Sequence, residues 1–178
     1  MRITAGSLRG RVLNVPDVEG LRPTPAKVRQ ALFNILGSVE ELSLLDLFSG
    51  SGVMALEALS RGAASALSIE QNRNLTRNLS AIRTTWRLEE AWQIKTATVE
   101  KGLAMLSGQK FDLIFADPPY QQGFTDRLPQ WLDQHGIGCE QLVIEESARV
   151  EPLWPAGWQC KQSRRYGDST LHFLSRIA

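Results

Sequence analysis

The stretch Asp117-Pro118-Pro119-Tyr120 places a carboxylate, two proline rings and a phenol directly after the apolar run FDLIFA. Each proline fixes its own φ and lacks a backbone N–H, so the loop keeps one shape without joining a strand ladder. The Asp117 carboxylate and the Pro118 carbonyl can together accept both hydrogens of a nucleobase amine, while the Tyr120 ring stacks on that base. The loop is therefore predicted to orient an exocyclic amine, the alternative being a rigid turn in which the aspartate only caps a neighbouring group.

The segment LDLFSGSG, residues 45–52, forms a second candidate site, because two glycines follow an apolar run and precede a helical pattern. At Gly50 and Gly52 the absence of side chains lets a ligand approach the backbone, and the N-terminus of the following helix favours negative charge. Glu70 follows Gly50 by 20 residues, the spacing at which an acid accepts hydrogen bonds from a ribose diol. The pattern therefore predicts a ligand that contains a nucleoside.

Charge near the glycine loop discriminates between nucleoside ligands. No lysine follows Gly52, so the loop is not the P-loop of nucleoside triphosphatases. The run from Gly50 to Ala55 fits the GxGxxA pattern of dinucleotide sites, so NAD stays open on this loop alone. Asp46 would repel a pyrophosphate but suits the cationic methionine part of S-adenosylmethionine, and this argument favours S-adenosylmethionine as the cofactor.

Strand-like and helical segments alternate from residue 43 onward, as in LLDLF, VMALEALSRG and ALSIE. This alternation predicts a mainly parallel sheet that is covered by helices on both faces. Residues 158–177 predict two final strands that turn at residues 166–168 and form an antiparallel edge. Ligands of such sheets bind at the carboxyl ends of the parallel strands, so the glycine loop, Glu70 and Asp117 are expected to share one crevice.

Residues 1–37 are predicted to form an extension, with two short strands around SLRG and a helix behind them. Thr24 suits the N-cap of this helix, Pro25 its first position and Gly37 its C-terminal stop. The extension carries six basic and two acidic side chains, whereas the remaining residues carry 14 basic and 17 acidic ones. This imbalance favours contact with an anionic partner, and the alternative is a solvated arm.

The composition is that of one soluble domain, with 178 residues that are 43% hydrophobic and 22% charged. The chain has no apolar run of about 18 residues and no signal-peptide core, so a cytoplasmic protein without a membrane span is expected. Cys139 and Cys160 form no ligand pattern with the histidines, and neither a metal nor a disulfide is predicted. Glu145 and Glu146 are interpreted as a solvated strand end.

Three stretches together carry a family resemblance, namely ITAGSLRGRVLNVPDVEGLRPTPAKVRQALFNIL, LLDLFSGSGVMALEALSRGA and FDLIFADPPYQQG. They resemble the RsmD family of bacterial 16S ribosomal RNA (guanine-N2)-methyltransferases, which are class I S-adenosylmethionine-dependent methyltransferases. The GRxLxVP and LRPT elements are specific to that family, whereas the Asp-Pro-Pro-Tyr and GxG elements are common to many methyltransferases. The resemblance implies a Rossmann-like α/β fold with a seven-stranded, mainly parallel sheet, an antiparallel C-terminal edge, and an N-terminal hairpin and helix extension.

The resemblance also implies roles for individual residues. The loop Asp117, Pro118, Pro119 and Tyr120 corresponds to the catalytic loop, and no metal is implied. The cofactor-binding positions correspond to Asp46, Phe48, Ser49, Gly50, Ser51, Gly52, Glu70, Gln71, Thr98 and Val99. The RNA-facing positions of the extension correspond to Arg9, Arg11, Arg22, Thr24, Lys27 and Arg29.

The function implied by the resemblance is methyl transfer from S-adenosylmethionine to the exocyclic N2 of a guanine in 16S ribosomal RNA, with S-adenosylhomocysteine as product. The substrate would be RNA within a partly or fully assembled small subunit. A monomer is expected, with residues 1–37 facing RNA and residues 38–178 forming the methyltransferase domain. One alternative is an adenine-N6 methyltransferase of DNA or RNA, although the DNA enzymes usually carry a separate target-recognition domain. The other is a nonenzymatic ribosome-assembly RNA binder, which the intact acids Asp46, Glu70 and Asp117 disfavour.

Overall fold

The computed structural model describes residues 1–18, 20–21 and 24–177, while Glu19, Arg22, Pro23 and Ala178 lie outside the described residues. The described helices are α1 (Ala26–Leu36), α2 (Val53–Ser60), α3 (Arg73–Thr85), α4 (Val99–Met105) and α5 (Phe124–Gln134). The described strands are β1 (Ser43–Leu47), β2 (Ser65–Glu70), β3 (Trp92–Thr96), β4 (Lys110–Ala116), β5 (Gly138–Ser147), β6 (Trp158–Tyr166) and β7 (Ser169–Arg176). None of these helices has the length and apolar character that crossing a bilayer requires.

Seven strands form one sheet in the described part of the chain, in the spatial order β3-β2-β1-β4-β5-β7-β6. Strands β1 to β5 pair in parallel, and β7 pairs antiparallel with both β5 and β6. This arrangement confirms the predicted α/β class with an antiparallel C-terminal edge. The chain reverses at Gly167-Asp168, which places β7 inside the sheet and leaves β6 as the outermost strand.

Successive strand residues point to opposite faces of the sheet and fill two separate hydrophobic clusters. Leu44 and Leu113 lie in the cluster that also contains buried residues of α1, α2 and α3. Leu45 and Ile114, their neighbours along the chain, lie in the cluster that contains buried residues of α4 and α5. The sheet is therefore covered on both faces, as the alternating sequence pattern predicts.

The N-terminal segment forms a coil that packs into the core, and the predicted two-stranded hairpin is reduced to one antiparallel bridge between Arg2 and Val12. Its turn approaches α2 so closely that Ser7 N donates to Ser60 O at 2.7 Å. A Cβ built on Gly6 would lie 1.7 Å from the same carbonyl oxygen, and the φ of Gly6 is +79°, so glycine is required there. The alternative of a solvated arm is wrong, because three apolar side chains of the segment are buried in the core: Ile3, Leu8 and Leu13.

Helix α1 begins at Ala26, one residue later than its capping pattern predicts. Pro25 is the N-cap, with an extended backbone at φ −58° and ψ 148°, and its side chain forms no capping hydrogen bond. The Thr24 hydroxyl instead donates to Glu145 Oε2 at 3.3 Å, so the predicted role of Thr24 as N-cap is wrong. The helix ends as predicted at Gly37, whose φ of 75° is readily adopted by glycine.

Arg29 on α1 is a buried structural residue, with 2% of its surface exposed. Its Nε atom donates to Glu57 Oε1 at 3.1 Å, and its two other guanidinium nitrogens donate to the Thr24 carbonyl at 2.6 Å and the Arg2 carbonyl at 2.7 Å. Arg61 forms a second ion pair with the fully buried Glu57 carboxylate. The prediction that Arg29 faces RNA is wrong, because all of its guanidinium nitrogens bind groups inside the protein.

Candidate active site

The carboxyl ends of β1, β2 and β4 open into one cavity of about 1100 Å³. Strand β1 leads into the glycine loop, β2 ends at Glu70, and β4 ends directly before Asp117. Because parallel strands present their carboxyl ends at one edge of a sheet, these segments meet although they lie far apart in the chain. The cavity is lined by most of the predicted site residues: Thr24, Asp46, Phe48, Ser49, Gly50, Ser51, Glu70, Gln71, Thr98, Val99, Asp117, Pro118, Pro119 and Tyr120.

Gly52, also predicted to bind the cofactor, lies beneath the loop as the N-cap of α2, with φ 70°. A Cβ at this position would lie 2.7 Å from Leu79 Cδ2 and 2.9 Å from Trp92 Cζ2. Glycine is therefore required at position 52 because α3 and β3 pack against its backbone. The sequence pattern alone does not separate this packing role from close approach of a ligand.

Phe48, in the glycine loop, packs against the segment that follows Asp117-Pro118-Pro119-Tyr120. Its backbone is left-handed, with φ 57°, which is uncommon for a bulky residue. Its ring packs edge to face on Phe124, the first residue of α5, with the ring centroids 5.1 Å apart. Phe124 also lines the cavity and is absent from the predicted site residues. The signal in the sequence is an aromatic residue at the start of the helix that follows the Asp-Pro-Pro-Tyr loop.

Glu70 braces the glycine loop. One carboxylate oxygen accepts a hydrogen bond from Gly50 N at 2.8 Å, and the other accepts one from Asn72 N at 2.7 Å. Each carboxylate oxygen has a second acceptor position, so both can still bind hydroxyl groups. The predicted ribose contact is thus compatible with the geometry, and Glu70 also has a loop-bracing role that its spacing from Gly50 does not reveal.

Asp46 is a buried acid at the base of the cavity, with 1% of its surface exposed. It accepts hydrogen bonds from Ser49 Oγ at 2.6 Å and from Ser68 Oγ at 3.5 Å. Burial raises the pKa of Asp46 to about 7, against the opposing effect of the Ser49 hydrogen bond. Among the described residues no basic side chain forms an ion pair with it, so a cationic ligand would supply the charge that this carboxylate lacks.

The loop Asp117-Pro118-Pro119-Tyr120 follows β4, and its acid Asp117 is partly buried at the cavity. Burial raises the pKa of Asp117 well above its usual range, and the nearby charges of Glu145, Asp46 and Glu146 raise it further. The Tyr120 hydroxyl donates to Glu145 Oε1 at 3.2 Å. Burial, together with the charge of Glu145, also raises the pKa of Tyr120, so the phenol stays neutral and remains a hydrogen-bond donor.

Glu145 and Glu146 are buried, with 3% and 1% of their surfaces exposed, so their interpretation as a solvated strand end is wrong. They lie within β5, where β7 covers them through the pairs Glu145–Leu171 and Glu146–Thr170. Ala116 of β4 pairs with Ile144 of β5, so Glu145 occupies the position on β5 that Asp117 occupies after β4. An acid in the same position after two neighbouring apolar strands is the signal that identifies Glu145.

The charge of the cavity distinguishes between ligands that the sequence leaves open. Among the described lining residues Arg149 is the one basic side chain, and five are acidic: Asp46, Glu70, Glu100, Asp117 and Asp168. A cavity lined mainly by acidic side chains repels a pyrophosphate and attracts a ligand with a cationic group. The cavity therefore fits a nucleoside with a positively charged tail better than it fits a dinucleotide.

The predicted RNA-facing residues do not share one surface. Arg9 is exposed and lines a groove of about 480 Å³, and Thr24 is buried in the wall that this groove shares with the main cavity. Arg11 is exposed, but its guanidinium lies over the Trp86 ring, 5.2 Å from the ring centroid. Arg9 therefore lines the same groove as Thr24, whereas Arg11 packs elsewhere. The other two are Lys27, which is exposed on α1, and Arg22, which lies outside the described residues.

Residues 1–175 match the protein family described as Conserved hypothetical protein 95. Ribosomal RNA small subunit methyltransferase D of Escherichia coli K12 is 35% identical over the whole of this chain and 91% of its own length. The chain belongs to the RsmD family. A Haemophilus influenzae protein with the same name as the E. coli relative is 30% identical over 94% of this chain and 89% of its own length. These relatives confirm the family that the sequence motifs predict.

Solved structures show the same fold in this family and beyond it. A putative methyltransferase, yhhF from Escherichia coli, superposes with a TM-score of 0.87 at 34% identity, covering 100% of this chain and 98% of its own. An RNA methyltransferase from Salinibacter ruber, solved with S-adenosyl-L-homocysteine, has a TM-score of 0.64 at 15% identity and covers 85% of this chain and 92% of its own. At that identity the second comparison concerns the fold alone, and it confirms the class I methyltransferase architecture.

Proposed function

We propose that this RsmD-family protein transfers a methyl group from S-adenosylmethionine to the exocyclic N2 of a guanine in 16S ribosomal RNA. The proposal is carried by one observation, that Asp117-Pro118-Pro119-Tyr120 lines the same acidic cavity as the glycine loop and Glu70. A methyl donor and a nucleobase amine can therefore meet at one place. The name of the E. coli and H. influenzae relatives, ribosomal RNA small subunit methyltransferase D, supports RNA of the small subunit as the substrate.

The cofactor would be held along the carboxyl ends of β1, β2 and β3. Asp46 offers an anion to its cationic methionine part, and Glu70 offers its remaining acceptor positions to the ribose hydroxyls. Thr98 and Val99 line the cavity just beyond β3 and are placed to contact the adenine. When bound, S-adenosylmethionine supplies an electrophilic methyl group on its sulfonium. The acidic side chains that line the cavity would attract this positive charge.

The catalytic loop would hold the guanine amine. This nitrogen is conjugated with its ring and is a weak nucleophile, so catalysis depends on orienting its lone pair. The Asp117 carboxylate and the Pro118 carbonyl accept its two hydrogens, and the Tyr120 ring stacks on the flipped base. Placement and preorganised acceptors thus supply most of the rate enhancement.

Asp117 would also receive the proton that the nitrogen loses after methylation. The methylated nitrogen is acidic, so a strong base is not needed. The raised pKa of Asp117, caused by burial and neighbouring acids, makes its carboxylate a better proton acceptor than an exposed aspartate. The residue can therefore act first as a hydrogen-bond acceptor and then as a base.

Radiolabelled methyl transfer to purified 16S RNA, small ribosomal subunits and DNA, followed by nucleoside analysis, tests the proposal. We expect N2-methylguanosine and a preference for RNA within partly or fully assembled subunits. N6-methyladenine as the product would support the adenine methyltransferase alternative. Cofactor binding without transfer to any substrate would support a nonenzymatic RNA binder. Sedimentation of the protein under assay conditions checks the expected monomer.

The affinity for S-adenosylmethionine is expected to rise as the pH increases from 6 to 8. The pKa of Asp46 is raised to about 7 by burial, so the acid is largely neutral at pH 6 and ionised at pH 8, and only the ionised form attracts the cationic ligand. The limiting slope below the pKa of Asp46 is about tenfold per pH unit. Calorimetric titration at pH 6, 7 and 8 measures this effect.

The matched control for this pH dependence is Asp46→Asn, which keeps the shape of the side chain and removes its titration. Its affinity is expected to be weak and nearly independent of pH over the same range. If the wild-type protein and this variant show the same pH profile, Asp46 does not contact the cationic part of the ligand.

We further propose that residues 1–37 supply the RNA-facing surface and that residues 38–178 bind the cofactor in the cytoplasmic enzyme.

Arg9→Gln is expected to weaken RNA binding and to reduce the slope of log affinity against log salt by about one unit, because one phosphate contact is lost. Arg11→Gln removes the same charge from a side chain that packs on Trp86 and should change the slope less. Binding titrations at several salt concentrations measure both variants, and equal slopes would contradict a distinct role for the groove that contains Arg9.

A further inference from the structure

Glu145 is a buried carboxylate that contacts two separate segments of the active site. One oxygen accepts a hydrogen bond from the Tyr120 hydroxyl at 3.2 Å, and the other accepts one from the Thr24 hydroxyl at 3.3 Å. Both donors line the main cavity, one in the catalytic loop and one directly before α1. Glu145 itself lies on β5, which is paired on both sides, with β4 and β7.

The burial of Glu145 lowers the stability of the folded protein. Its hydrogen-bond donors are neutral hydroxyl groups, and no basic side chain among the described residues forms an ion pair with it. Burial raises the pKa of Glu145, although hydrogen bonds from Ser169, Tyr120 and Thr24 oppose this shift. A buried acid without a cation destabilises a folded protein, so its presence beside the acceptor site points to a role in function.

The Tyr120 ring belongs to a loop, whereas its hydrogen-bond partner Glu145 belongs to a strand. It lies in the loop between β4 and α5, where Gln121 has a φ of 61° and Gly123 a φ of 70°. In contrast, β5 is held on both sides by strand pairs, and Glu145 is fixed opposite Leu171. A hydrogen bond from the Tyr120 hydroxyl to this strand therefore restricts the motion of the aromatic ring.

We propose that Glu145 is a positioning residue that holds the Tyr120 ring in its stacking orientation, with Thr24 fixing the second carboxylate oxygen. This inference rests on the proposed methyl transfer to a nucleobase. It gives the Tyr120 hydroxyl a purpose that stacking alone does not require. It also links the segment before α1 to the catalytic loop through one side chain.

The test compares Glu145→Ala, Glu145→Gln, Tyr120→Phe and the double variant Tyr120→Phe with Glu145→Ala. We expect about a tenfold loss of kcat for RNA methylation in Glu145→Ala and in Tyr120→Phe, because each removes the same hydrogen bond. The double variant should be no worse than either single one, since the two residues act together. Glu145→Gln should retain most activity, because the amide oxygen still accepts the hydrogen bond from the phenol.

Two further readouts separate positioning from general stability. Affinity for S-adenosylmethionine should be unchanged in all four variants, and Glu145→Gln should raise the melting temperature by about 2–4 °C, because it removes a buried charge. The matched control is Glu146→Gln, which changes an equally buried acid that binds Thr125 Oγ1 and Ser147 N and does not contact Tyr120. Its kcat should stay well above that of Glu145→Ala, because the hydrogen bond between Tyr120 and Glu145 is kept.

Several results would overturn the inference. These are full activity in Tyr120→Phe, multiplicative losses in the double variant, or equal losses in Glu145→Gln and Glu145→Ala. Should Glu145→Ala fail to fold, Tyr120→Phe and Glu145→Gln decide the question. Absence of methyl transfer by the wild-type protein on every substrate is a different result, and it refutes the proposed function instead.

Discussion

Asp117→Ala is expected to reduce methyl transfer to RNA by about 100- to 1,000-fold, because it removes the carboxyl acceptor that orients the target amine. Affinity for S-adenosylmethionine should change by no more than a few-fold, since the proposed contacts of Asp117 are to the amine. Single-turnover methyl transfer and calorimetric cofactor titration measure the two quantities separately. This is the largest loss of activity that the site geometry predicts for a single substitution.

Asp112→Asn on the same strand is the matched control. The Asp112 carboxylate accepts hydrogen bonds from Ser43 N and Ser43 Oγ, both at 2.7 Å, and these bonds lower the pKa of Asp112. It lies near the amino end of β4, away from the cavity, so the variant should lose some stability and keep its rate. If both variants lost activity equally, the effect of Asp117→Ala would reflect damage to β4 and not loss of an acceptor.

Arg29→Met should lower the free energy of unfolding by about 3–5 kcal/mol, the typical cost of removing one partner of a buried ion pair. The substitution leaves the Glu57 carboxylate with one cation and leaves the carbonyls of Thr24 and Arg2 without their guanidinium donors. Natural domains are stable by only about 5–15 kcal/mol, so the loss should be evident in urea unfolding.

Arg61→Met removes the other cation from Glu57 and serves as the comparison. The Arg61 side chain is 15% exposed against 2% for Arg29, so solvent compensates more of its loss and the effect should be smaller. The loss of unfolding free energy in Arg29→Lys should lie between those of Arg29→Met and Arg61→Met. Lysine keeps the charge but not the three separate donor positions of the guanidinium. A loss below about 1 kcal/mol for Arg29→Met would contradict a structural role for this arginine.

The sequence predicts the fold and the location of the cavity because the relevant signals are local. A glycine loop after one strand, an acid at the end of the next and Asp-Pro-Pro-Tyr after a third are each visible within a few residues. Parallel pairing then brings them together without further information. The predicted site therefore depends mainly on the order of strands and helices, which the hydrophobic pattern indicates.

The features that the sequence does not predict depend on contacts between distant residues. Arg29 is buried because Glu57 lies against it from another helix, and nothing near Arg29 in the chain indicates that partner. Glu145 and Glu146 look like an exposed strand end until β7 covers them. Thr24 matches a capping pattern, but its hydroxyl donates to Glu145, 121 residues further along the chain. In each case a tertiary contact overrides a local preference.

The position of β7 between β5 and β6 affects the tendency of the chain to aggregate during its synthesis. While the nascent chain emerges, β5 remains an unpaired edge until residues 169–176 have been synthesised. Its apolar run Leu142-Val143-Ile144 could pair with other unfinished chains during that interval. Glu145 and Glu146 follow this run directly, and charges beside an apolar edge oppose such pairing. Burial of Glu145 and Glu146 lowers the stability of the folded sheet. Before β7 has been made, the same two charges are expected to oppose aggregation of the chain.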